Sequence, residues 1–209
     1  MSAFEQVHES LFPTEGDGPI TEFEKESRRR RLRLVVIAYP FALTLIALGM
    51  NALLFGISPL VMTLPAKEVL AVLAVSAALL LINHSWLMTA TELARSRYGL
   101  HATPEEWAAA KADRSMAPAE GLVEVERCQN AHRNTTENTV YFVFLAVLMA
   151  LGSPAYPAVI AWIGGYGLAR LGYTYGYLSG WSALRGLFMS LGLLSLYGMA
   201  SYLLLALFF

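Results

Sequence analysis

Five apolar runs, 34–63, 68–93, 139–151, 156–177 and 187–209, limit what this 209-residue chain can fold into more than any other feature. A bilayer crossing takes about 20 mainly apolar residues, and four of the runs reach that length unaided. The third, 139–151, is short. It spans only if the polar block in front of it, "ERCQNAHRNTTEN" (126–138), forms the first turns of the same helix, which predicts one continuous helix from about Leu122. With 56% hydrophobic and 15% charged residues, the chain lies outside the soluble globular range. The expected fold class is all-α, an integral membrane helical bundle. Pro40 falls inside the first run, where a kink is predicted, and Pro59 and Pro65 mark the turn after it.

Placement of charge says more than its sum. A net charge of −1 gives no reason to expect nucleic acid as a partner. Lys and Arg collect on the cytoplasmic side of membrane proteins. Arg28–Arg33 puts the N-terminus there, and Arg95, Arg97, Lys111, Arg114, Arg127 and Arg185 fall on the same side of a five-span, N-in, C-out arrangement. The opposite turns carry only Lys67. The first 26 residues are acidic and broken by Pro and Gly, so 1–27 reads as a disordered tail. They lack the basic start and cleavage site of a secretory signal. "SRRRRLR" (27–33) has a faint likeness to a twin-arginine export signal. A plain positive-inside flank is preferred, because the run behind it is long enough to span and stay. A single cysteine, Cys128, excludes an intrachain disulfide and a Cys-rich metal site, and no metal is expected. The stretch 98–121 is Ala- and Glu-rich and predicts a short surface helix.

Three polar stripes mark the helices. At about 100° per residue, Glu126, Asn130, Arg133, Asn134, Glu137 and Tyr141 share roughly a third of one circumference, with Cys128 and His132 away from it. In the fourth run Tyr166, Arg170, Tyr173 and Tyr177 form a narrow line, while Gly164, Gly165, Gly167, Gly172 and Gly176 permit close helix packing. His84, Met88, Thr91 and Arg95 line the second run. A deep arginine costs at least ~2.5 kcal/mol, so Arg170 must face protein or a water-filled cavity. Interhelical glue is one reading of such stripes. A site for a small zwitterionic or polyanionic ligand is the other, because acids, bases and amides share one seam.

"VERCQNAHRNTTENTVYFVF" resembles the signature of the MAPEG family, the membrane-associated proteins of eicosanoid and glutathione metabolism. The shared positions are Glu126, Arg127, Ala131, His132, Asn134 and Glu137. "ARLGYTYGYLSGWSALR" and "RSRYGLHATPEEW" match two further family stretches in order, and the likeness covers about 70–209. It implies a four-helix protomer (67–209) preceded by one additional N-terminal transmembrane helix (28–66), assembly as a homotrimer, and glutathione bound between subunits near the cytoplasmic face. The implied activity is conjugation of glutathione, the co-substrate, to lipophilic electrophiles, with reduction of lipid hydroperoxides as a second reaction. A non-catalytic member binding lipids or another protein is the alternative.

Glutathione carries two carboxylates, an ammonium, amides and a thiol. Arg133 and Arg170 suit the carboxylates, Glu137 the ammonium and Asn134 the peptide backbone; Tyr173 and Tyr177 add phenols and flat walls, and Asn130 and His132 complete the implied binding set. By resemblance Arg185 activates the thiol, with Arg95 the second candidate, because a nearby cation favours the thiolate. Three positions depart from the family. Asn130 stands where an arginine is usual, and Thr135 replaces an Asp. Gly186 and Met189 replace the Ser and Tyr of the prostaglandin-E synthase branch, which argues against that isomerase activity.

Overall fold

The computed structural model describes residues 22–208, with side chains from Glu26 onward. The expected acidic tail lies outside the described residues up to position 21, and from Glu22 the chain is already helical. Each apolar run forms helix over most of its length, the first only as far as Phe55, and no strand occurs among the described residues. Helix α1 (Glu22–Met50) runs through Pro40 and continues into a π-helical turn, Asn51–Phe55. Next come α2 (Lys67–Tyr98), the short α3 (Pro104–Ala109) and α4 (Ala119–Leu151). Helix α5 occupies 156–178: an α-turn at Tyr156–Ala158, a π-helical stretch at Val159–Gly164 and regular helix at Gly165–Leu178. Last is α6 (Ser182–Ala206). The polar block is thus the N-terminal half of one helix with the apolar run behind it, as its length required.

Among the described residues, three segments are long and apolar enough to cross a membrane: Glu26–Phe55, Lys67–Tyr98 and Ser182–Ala206. Helix α4 has the length but carries the polar block, and α5 is interrupted by its π-helical stretch.

The chain divides into two compact units, 1–41 and 42–209. In the described part of the first, Leu32, Leu34, Val35, Val36, Ile37 and Phe41 are all exposed, a surface suited to lipid rather than to water. In the second, α2, α4, α5 and α6 surround a core of Phe142, Met149, Val159, Trp162, Ile163, Tyr166, Met199 and Tyr202. The Phe142 and Tyr166 rings stack with centroids 4.2 Å apart. Small residues set the helix spacing. On the face of α5 toward α6, Gly172 lies against Phe188 and Gly176 against the Arg185 backbone, while Gly198 of α6 receives Trp162. The order of these pairs reverses along the chain, as in antiparallel neighbours. Gly167 packs on Ser76 and Leu79 of α2, whose Ser76 hydroxyl donates to the Ile163 carbonyl at 2.8 Å.

One polar node ties the segment before α2 into this core. Asn51 is fully buried; its amide donates to the Gly198 carbonyl and the Ser201 hydroxyl, both at 2.9 Å, and its oxygen accepts from the Trp162 indole at 2.7 Å. Further along, the Leu60 N–H donates to the Ala206 carbonyl at 3.0 Å, the Thr63 N–H to the Leu151 carbonyl at 2.9 Å, and the Tyr202 hydroxyl accepts from the Ser58 and Ala155 N–H groups. The irregular stretch 56–66 thus bonds the N–H groups of Ser58, Leu60 and Thr63 to α6 and the end of α4, the kind of pairing an apolar setting favours.

Candidate functional site

Arg170 is the centre of the site. It projects from the regular part of α5 and is 1% exposed, yet among the described residues no carboxylate lies within ion-pairing reach of it. Tyr173 and Tyr166 hold it instead, their ring centroids 4.6 and 5.6 Å from its central carbon. One terminal nitrogen donates to Asn134 Oδ1 at 3.1 Å and the other reaches Met189 Sδ at 3.7 Å. Its Nε has no protein partner. Gly192 keeps the α6 side open for the guanidinium, since a Cβ there would stand 3.2 Å from Nη2. Burying a cation costs several kcal/mol unless something compensates it. Two aromatic faces and one amide oxygen offset part of that. The remainder is an unmet demand for an anion.

The tyrosine line carries the site toward the end of α5. Tyr173 and Tyr177 rings lie 5.5 Å apart, and the Arg185 guanidinium sits 5.1 Å from the Tyr177 centroid. Arg185 is in the first turn of α6 and is exposed. A buried and an exposed cation are thus connected by one aromatic wall. Asn134 belongs to this group from α4, while Asn130 is half-buried and Arg133 and Glu137 are exposed, on the side of α4 away from its buried face. Of the polar stripe, only the boundary residue Asn134 reaches Arg170.

Position of Arg185 depends on Gly176. A Cβ at 176 would lie 2.7 Å from the Arg185 backbone nitrogen and 3.0 Å from its Cα. Gly176→Ala is expected to push the start of α6 away, costing about 1–3 kcal/mol of stability. Thermal unfolding in detergent measures this, with Gly186→Ala, where a Cβ meets nothing, as the neutral control.

Two expected site residues stand elsewhere. His132 shares a hydrogen bond with His84 of α2, Nε2 to Nδ1 at 3.0 Å, and so links α4 to α2. Arg95 pairs with Glu92 one turn back, and lines a cavity of about 270 Å³ with Trp107, Arg114 and Glu126. Sequence reasoning placed Tyr166 in the stripe without giving it a role, and met Met189 only as a departure from a family pattern. The i, i+4 spacing of Tyr166 and Arg170 carried the first signal. Nothing local announced the second.

A model of the MAPEG family matches residues 69–205, beginning just inside α2 and ending just inside the end of α6. No curated protein and no solved structure matches the chain.

Proposed function

Because the chain belongs to the MAPEG family, we propose that it is a membrane-bound glutathione transferase, conjugating the glutathione thiolate to lipophilic electrophiles and reducing lipid hydroperoxides. The observation that carries this reading is the buried Arg170 guanidinium, held by Tyr166, Tyr173 and Asn134 with no carboxylate partner among the described residues. A glutathione carboxylate supplies the missing anion, in the bidentate form that guanidinium favours. Arg133 takes the second carboxylate, Glu137 the ammonium, and Tyr177 and Asn130 line the tripeptide.

Arg185 stabilises the thiolate. The thiol proton leaves to solvent, and the sulfur attacks an electrophile arriving from the lipid phase. The C–S bond forms as the bond to a leaving group breaks and that group departs with its electron pair. With an activated alkene, the π electrons instead pass to the neighbouring carbon, which takes up a proton from solvent. With a hydroperoxide, two glutathiones become the disulfide while the peroxide becomes alcohol and water. The protein acts as a homotrimer with five bilayer crossings and a cytoplasmic N-terminus, and the exposed polar face of α4 meets a neighbouring subunit. Arg133 and Glu137 then reach a shared site from that exposed face.

A second reading, a non-catalytic member that binds lipids or another protein, is favoured by Asn130 standing where the family resemblance calls for arginine. Turnover separates the two. Glutathione with an aromatic electrophile, run beside a lipid hydroperoxide, is expected to give product, and Arg185→Ala to cut the rate about 100-fold or more, the scale of losing one electrostatic donor, while retaining glutathione-induced thermal stabilisation. Equal loss of stabilisation would make Arg185 a clamp for the ligand instead.

A further inference from the structure

The cavity beside Arg95 belongs to neither the tyrosine line nor the Arg170 cluster. It lies where the end of α2, the loop 99–103, the short helix α3, the turn Arg114–Met116 and the first half of α4 meet. Its wall is built rather than loose. Gly99 takes the left-handed conformation (φ 62°) that ends α2, and the Leu100 N–H returns to the Arg95 carbonyl at 2.9 Å. The Trp107 indole donates to the His101 carbonyl at 3.0 Å and packs edge-on against its ring. Thr103 caps α3, and Glu106 accepts from the Ala102 N–H at 2.8 Å. Asp113 caps the turn that carries Arg114; the Ser115 N–H holds its carboxyl below the usual carboxylate range.

Charge inside this wall is divided. Arg95 is satisfied by Glu92. Arg114 and Glu126, of opposite sign, both line the cavity and are in no ion pair, with each other or with any other described residue. Both side chains are exposed and solvated, so neither needs a partner for its own sake; together they offer a ligand of two opposite charges one contact for each. A ligand with a single charge meets only one of the two.

We infer that this cavity binds a phosphate–ammonium zwitterion, the phosphate on Arg114 beside Arg95 and the ammonium on Glu126. Trp107, an aromatic of the kind that collects at membrane interfaces, covers the junction between head group and chain, and Leu122 and Val125 offer an apolar path for acyl carbon. The chemistry is that of a phosphoethanolamine head group, supplied by a lipid or as the free compound. Arg95, the second thiol-activating candidate, and Glu126, on the polar stripe of α4, border this cavity, whereas Trp107 and Arg114 take no part in the glutathione chemistry proposed above.

The test uses the full chain in detergent, titrated by native mass spectrometry with short-chain phosphatidylethanolamine, the matching phosphatidylglycerol and soluble phosphoethanolamine. Saturable binding with preference for phosphatidylethanolamine over phosphatidylglycerol is expected. Arg114→Gln, on an exposed turn that tolerates the change, weakens both lipids about tenfold, one charge-assisted contact. Glu126→Gln removes the preference while leaving phosphatidylglycerol bound as before or better. Soluble phosphoethanolamine that competes only weakly assigns the site to lipid; equal competition assigns it to the free zwitterion. Equal binding of the two lipids by the unmodified protein, or no effect of either substitution, overturns the inference.

Discussion

Arg170→Met is expected to weaken glutathione binding by at least about 30-fold while leaving the folded protein as stable as before, or more so. The two halves of that result come from one fact. Arg170 is buried against Tyr166 and Tyr173 and bonded to Asn134, but no described carboxylate neutralises it. Replacing an incompletely compensated buried charge by an apolar side chain of similar volume is often neutral or stabilising by about 1–4 kcal/mol. Removing one partner of a desolvated charge pair costs a complex about 2–5 kcal/mol. A residue serving as interhelical glue behaves oppositely: its loss lowers stability, and ligand binding falls only as the fold fails. Arg170→Lys refines the result. It keeps the charge but not the planar fork that reaches Asn134 and Met189 together, so binding is expected to fall short of the unmodified protein with the fold intact. Isothermal titration beside thermal unfolding reads both quantities.

Asn51→Ala is expected to destabilise the protein by about 2–4 kcal/mol. Its side chain makes three hydrogen bonds in a fully buried position, to Gly198, Ser201 and Trp162. A typical bond contributes about 1 kcal/mol net, and each buried group left alone costs about 1–3 kcal/mol. Not every partner is orphaned equally. Ser201 retains a bond to the Gly198 carbonyl at 3.2 Å, whereas the Trp162 indole loses its acceptor. The double variant Asn51→Ala, Trp162→Phe should therefore cost clearly less than the two single changes added together. Strict additivity would show that the node does not act as a unit. The same loss would loosen the turn that docks the segment before α2 onto the ends of α4 and α6, where Leu60 and Thr63 are bonded.

Helix positions were legible because apolar length and glycine spacing are local properties. The polar block could only be the front half of α4, since 139–151 is too short to stand alone. Tyr166, Arg170, Tyr173 and Tyr177 share one line of α5, and periodicity alone placed them together. Depth along a helix reads from sequence far better than direction around its neighbours. Arg95 illustrates this: its position at the end of α2 was plain, but its pairing with Glu92 and its place beside Trp107 and Arg114 depend on how the loop after α2 folds back. Arg133 and Asn134 are adjacent in sequence and roughly 100° apart around the helix, so one is exposed and the other meets Arg170. Asn51 gave no warning, being one amide in an apolar run whose partners lie more than 100 residues away.

The central claim is that Arg170 anchors glutathione on a wall that leads to Arg185, where its thiol ionises. Its most direct test is the ultraviolet absorbance of thiolate on mixing the purified protein with glutathione at neutral pH, where the free thiol is mostly protonated. The account predicts a saturable rise that is lost in Arg185→Ala, although glutathione still stabilises that variant, and lost together with binding in Arg170→Met. Absence of both thiolate absorbance and thermal stabilisation at millimolar glutathione would contradict it.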